Sequence, residues 1–165
     1  MSSPKFMSES VYALLLKQIG NEFGSQNLYL TCASIFRQHG LYNLAAFLIK
    51  RSEEERKHAM KVFEHLKEAN YYIPIDSVPT FVTAGMDKSR LLDIARTVFE
   101  HEHDVSQRWL DIELASREEP YTNMFAQDFV DEQVEEEEWA YQLYRRIELA
   151  VDGPSLLTVD GQYKE

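Results

Sequence analysis

The chain has 165 residues, 44% of them hydrophobic, and a formal net charge of −11. It is long enough for one domain, 1–165, with a substantial core, and too acidic to line a phosphate backbone with Lys and Arg, which excludes nucleic acid as a partner. Its single cysteine, Cys32, excludes an internal disulfide framework and a Cys-based metal site, and no apolar run is long enough to span a membrane.

Gly and Pro punctuate the chain at His39-Gly40, at Pro74, Pro79 and Gly85, at Pro120, and at Gly153-Pro154. Between the breaks, helical periodicity predicts four long helices at about 8–38, 43–70, 88–116 and 121–150. Ser89 or Asp87 is expected to cap the third helix, and Thr122 or Asn123 the fourth. Short links make helices one and two antiparallel neighbours, and likewise three and four. The linker from about 72 to 87 is long enough to cross the whole bundle. The expected fold is all-α: a four-helix bundle with one long crossover between helices two and three. A short fifth helix is a candidate after Pro154.

In steps of three and four, each helix shows an apolar stripe. The first runs Val11, Leu15, Ile19, Glu22, Gln26, Tyr29, Ala33; the second Leu44, Leu48, Arg51, Glu55, His58, Val62. The third runs Ala95, Val98, Glu102, Val105, Trp109; the fourth Phe129, Gln133, Glu136, Ala140, Leu143. A carboxylate interrupts every stripe at about the same height. Four buried carboxylates repel one another and are costly to desolvate. Two divalent cations would balance the formal −4 of Glu22, Glu55, Glu102 and Glu136. Glu55 and His58 form Glu-x-x-His, whose i and i+3 positions share a helix face. Oxygen and imidazole donors of this kind suit iron or manganese. Trp109 and Trp139 read as packing residues.

These segments resemble the ferritin family: Glu22–Tyr29 (EFGSQNLY), Ala45–Met60 (AAFLIKRSEEERKHAM), Glu102, and Asp131-Glu132-Gln133 in the fourth helix (DEQVEEE). The resemblance covers nearly the whole chain. It implies Glu22, Glu55 and His58 as ligands of one iron, and Glu55, as a bridge, with Glu102 as ligands of the second. It implies Tyr29 and Gln133 beside the centre, and a third iron site at Glu54, Glu132, Glu135 and Glu136, for which a solvated acidic face is the competing reading. The fourth helix lacks a second Glu-x-x-His, and Arg56 and Lys57 stand where a haem-binding Met would lie, so a haem-free, prokaryotic-type ferritin is expected.

The implied activity is a ferroxidase, oxidising Fe(II) with dioxygen and storing ferric oxyhydroxide inside a homo-oligomeric cage of twenty-four chains. A di-iron carboxylate oxidase acting on another substrate is the alternative. A cage without its own oxidation centre and a purely structural bundle are further rivals. The family's animal members line a three-fold access channel with acids, and the matching positions here, Met124 and Gln127, carry no charge. Glu118, Glu119, Asp128 or Asp131 are the nearby substitutes. The opening residues lack the apolar core of a signal peptide, so a cytoplasmic protein is expected, or an organellar one if a transit peptide has been removed.

Overall fold

The computed structural model describes residues 6–81 and 89–165. Among them run five helices, α1 (Glu9–Gln38), α2 (Tyr42–Glu68), α3 (Leu91–Ala115), α4 (Pro120–Leu149) and α5 (Gly153–Gly161), and no strand. The four long helices form the expected bundle. α1 lies along α2, α3 lies along α4, and α1 packs on α3. α5 is the short fifth helix that the tail after Pro154 foreshadowed.

Several helix ends differ from expectation. α3 starts at Leu91, with Arg90 at its N-cap and no side-chain cap. Asp87 and Gly85 lie outside the described residues, as does the crossover over 82–88. α4 starts at Pro120, with Glu119 at the N-cap, so neither Thr122 nor Asn123 caps it. Proline at the first helical position needs no N–H partner and is already set to helical φ, which moves the start forward. Thr122 is buried inside the helix and hydrogen-bonds His65 at 3.1 Å. The Asn123 amide donates back to the Glu113 carbonyl at 2.9 Å and so ties α4 to the last turn of α3.

The two ends of α2 show why its neighbours are placed as they are. α1 closes with Gly40 at φ 77°, and the Leu41 N–H reaches the Phe36 carbonyl at 3.1 Å while the Gly40 N–H reaches Arg37 at 3.0 Å. This left-handed closure turns the chain directly into α2. α2 ends the same way through Asn70, φ 59°, with the Tyr71 N–H on the Leu66 carbonyl. The start of α2 has no local cap. Asp160 of α5 supplies one from a distance, accepting from the Leu44 N–H at 2.8 Å and the Asn43 side chain at 2.9 Å. A carboxylate at a helix N-terminus satisfies orphan N–H groups and complements the dipole.

The core is divided in two. One apolar cluster joins the C-terminal half of α1 to the first half of α2, the first half of α3 and the last half of α4, with Val159 of α5. The other joins the remaining halves and includes Leu15, Ile19, Val62, Trp109 and Phe129. α2 and α3 therefore start at the same end, so the crossover must travel the length of the bundle. Its described part rests on α1. The Tyr12 hydroxyl donates to the Tyr72 carbonyl at 2.6 Å, and Tyr12 stacks on Tyr71. Gly20 and Gly24 leave room for this strap: a Cβ at Gly20 would meet the Ser77 carbonyl oxygen, and one at Gly24 would lie 2.7 Å from that of Pro79.

Candidate metal centre

Between the two apolar clusters lies a polar layer. Glu22 of α1, Glu55 and His58 of α2, Glu102 of α3, and Gln133 and Glu136 of α4 are all buried, none more than 7% exposed. Helical spacing of three and four residues keeps each on the inward stripe of an otherwise apolar helix. Ligand atoms of Glu22, Glu55 and His58 lie within 4.8 Å of one another, and so do those of Glu55, Glu102 and Glu136. Glu55 belongs to both groups. The geometry thus sets Glu136 beside Glu55 and Glu102 in the second group.

A second layer of donors orients these carboxylates. Glu22 Oε1 accepts from Gln18 Nε2 at 2.7 Å and from Trp109 Nε1 at 3.0 Å. Its other oxygen, Oε2, is buried and takes no hydrogen bond from any described residue. Glu102 accepts from the Tyr29 hydroxyl and from Gln133 Nε2, the latter at 3.2 Å. Gln133 also donates to Ser106 Oγ at 3.2 Å. Glu136 accepts from Trp139 Nε1. Both tryptophans therefore do more than pack, contrary to the sequence reading. A buried indole N–H needs an acceptor, and with Trp109 a heptad after Glu102 and Trp139 three residues after Glu136 that rule was the available signal. Gln18 offered no such hint.

Burial and mutual repulsion work against the charges of these carboxylates. Burial, then Glu102 and Glu22, pushes Glu55 well above the usual carboxylate range. Burial, then Glu136, pushes Glu102 up to about 8 against the hydrogen bonds of Tyr29 and Gln133. Burial also raises Glu136, opposed by Trp139 and Arg51. Tyr29 is driven up by burial and then by Glu102. A site that disfavours its own charges, and that leaves a buried carboxylate oxygen without a donor, suits divalent cations.

The four residues expected at a third iron site come together beside the buried layer. Glu54, Glu132, Glu135 and Glu136 line one open pocket of about 420 Å³ between α2 and α4, but Arg51, Lys57 and Lys61 line it too. Glu54 pairs with Arg51 at 2.8 Å, and Glu132 with Lys61 at 3.0 Å and with His58 Nε2 at 3.1 Å. At the start of α4, Met124 is exposed and Gln127 hydrogen-bonds Asn123 at 3.1 Å.

This bundle and its carboxylate layer place the chain in a known class. The Ferritin-like domain family model matches residues 12–150. A bacterial non-heme ferritin of Bacteroides fragilis is 30% identical over 159 residues, covering 94% of this chain and 97% of that protein. Ferritin BfrB of Mycobacterium tuberculosis is 30% identical over 127 residues, covering 76% of this chain and 68% of its own. Among solved structures, an open pore ferritin from the archaeon Archaeoglobus fulgidus superposes with a TM-score of 0.84 at 30% identity, over 97% of this chain and 98% of that one. The chain belongs to the ferritin family, as a member of prokaryotic type. Iron storage is the function that this membership carries. No helix among the described residues is long and apolar enough to cross a membrane.

Proposed function

We propose that Glu22, Glu55, His58, Glu102 and Glu136 hold two Fe(II) ions side by side, and that the chain is a ferroxidase that passes one electron from each to dioxygen. The observation that carries this reading is the pair of buried ligand groups sharing Glu55. Glu22 with His58 faces one ion, Glu102 with Glu136 faces the other, and Glu55 bridges them. Hard anionic oxygens favour Fe(III) over Fe(II) and so help drive the oxidation. The protein's contribution is to keep two ions close in a dry cavity.

Each neighbour has a task. Gln18 and Trp109 aim Glu22, and Gln133 and Tyr29 hold Glu102. The Tyr29 hydroxyl stands one hydrogen bond from the centre, where the phenol could give one further electron, with its proton, to oxygen already reduced by the two irons. Trp139 holds Glu136. The oxidised product accumulates as ferric oxyhydroxide in a homo-oligomeric cage, a 24-mer on the family pattern. Haem has no role in this scheme.

The rival reading, an oxidase acting on an organic substrate, has one observation in its favour. A pocket of about 480 Å³ between α3 and α4 is lined by Phe99, Leu110, Val134 and Tyr141 and touches Gln133 and Ser106. Against it, α4 carries Gln133-Val134-Glu135-Glu136 where that class has a second Glu-x-x-His.

Aerobic addition of Fe(II), followed by absorbance and sizing, tests the proposal. The wild type should oxidise iron in a fast phase and remain a large assembly. Glu55→Ala and His58→Ala should each slow the fast phase by more than about a hundredfold, beyond the 10–100-fold typical of residues that only support ligands. Unchanged kinetics in both variants would place the ligands elsewhere.

A further inference from the structure

The acidic pocket between α2 and α4 is balanced differently from the buried centre next to it. The centre gathers four carboxylates, Glu22, Glu55, Glu102 and Glu136, around a single imidazole, with Arg51 only at its edge. The outer pocket sets its acids among side-chain cations. Lys61 holds Glu132 from the solvent side. Arg51 sits deeper, with its side chain 20% exposed. Its Nη1 lies 2.8 Å from Glu54 Oε2 and 3.8 Å from Glu136 Oε2. One charged nitrogen thus stands between two carboxylates.

The guanidinium is also held from its flanks. Its central carbon is 5.2 Å from the Phe47 ring centroid and 5.6 Å from that of Trp139. Aromatic faces attract a cation and shield it from water. Trp139 is the same residue whose indole N–H grips Glu136, so ring, cation and carboxylate form one unit. Glu54 is three residues from Arg51 on the same helix, which makes their contact local.

We propose that Arg51 is a resident cation that fills the third metal position, so that the native chain binds two divalent ions tightly and excludes a third from between Glu54 and Glu136. This inference rests on the two-iron reading above and deepens it: Arg51 determines how many ions the site accepts. A third ion must displace the guanidinium from both carboxylates and both rings. The contact with Glu136 places Arg51 at the boundary between the outer pocket and the second metal position.

The test is a calorimetric titration of the assembled protein with Zn(II), repeated with Fe(II) under anaerobic conditions, and anomalous scattering from Zn(II)-soaked crystals. The wild type should take two tight ions per chain with no metal between Glu54 and Glu136. Arg51→Gln should take three, the new one between those carboxylates, while Arg51→Lys, which keeps the charge, should take two. A third tight ion in the wild type at that position overturns the proposal, as does a stoichiometry of two in a correctly assembled Arg51→Gln. If Arg51→Gln fails to fold, the wild-type anomalous map decides alone. A wild type without tight sites overturns the two-iron reading and this inference with it; two ions in both proteins overturn only the role given to Arg51.

Discussion

Glu22 has two oxygens with different surroundings. Oε1 is held by Gln18 and Trp109, while Oε2 is buried without a donor. That asymmetry fixes the carboxylate's orientation before any cation arrives and leaves one oxygen to coordinate. Trp109 can be divided into its two roles. Its ring stacks on Phe129, with centroids 3.8 Å apart and planes 5° apart, and its N–H serves Glu22. Trp109→Phe keeps an aromatic in the stack and removes the donor. It should weaken Zn(II) binding by about tenfold, in the range for lost outer-layer hydrogen bonds, while far-UV circular dichroism stays unchanged. An unaltered affinity in titration calorimetry would reduce Trp109 to the packing residue its sequence position suggested.

Among the elements, α1 carries the least expected constraint. Gly20 and Gly24 lie within its buried face, and helix propensity alone would favour alanine at either by about 1 kcal/mol. The crossover reverses that preference, because the Ser77 carbonyl oxygen occupies the space a Cβ at Gly20 would need. Gly20→Ala should destabilise the protein by about 1–3 kcal/mol, as overpacking against a fixed neighbour does. Urea denaturation gives the sign directly, and a gain in stability would mean that the strap does not seat on α1. α5 is an element of the same kind, defined by what it touches. Its own start is a local capping box between Asp152 and Ser155, but Asp160 near its end caps α2.

For the whole molecule, the polar layer splits the core and makes stability depend on metal and pH together. Glu102, raised to about 8 by burial and Glu136, keeps its proton in the fold across a range where the unfolded chain has lost it. Glu55 is raised in the same direction. The folded state then binds more protons than the unfolded state above the ordinary carboxylate range, so stability falls as pH rises. The contribution is fully present below about 4.5 and is lost as pH climbs through about 8. Metal takes the place of those protons and reverses the trend, because binding requires the ionised carboxylates. Thermal midpoints measured from pH 5 to pH 8.5 (the window set by that linkage) should decline in the presence of chelator and hold or rise with saturating Zn(II). Parallel slopes under both conditions would show that the layer does not couple metal to folding.

Periodicity and punctuation determined much of this from the sequence. The four long helices, the side of each that faces inward, the crossover and the interruption of every stripe by Glu22, Glu55, Glu102 or Glu136 follow from local spacing, which a helix converts into geometry without further information. Helix ends were less legible. Pro120 displaced the expected caps of α4, and the cap of α2 comes from Asp160, whose distance in the chain hides it from any local rule. Tertiary structure alone decided which oxygen of Glu22 is held, that both indole N–H groups bind carboxylates, and that Arg51 stands between Glu54 and Glu136. Sequence spacing fixes the face a side chain occupies. Which partner its polar atoms find depends on the neighbouring helix, and that is known only once the helices have packed.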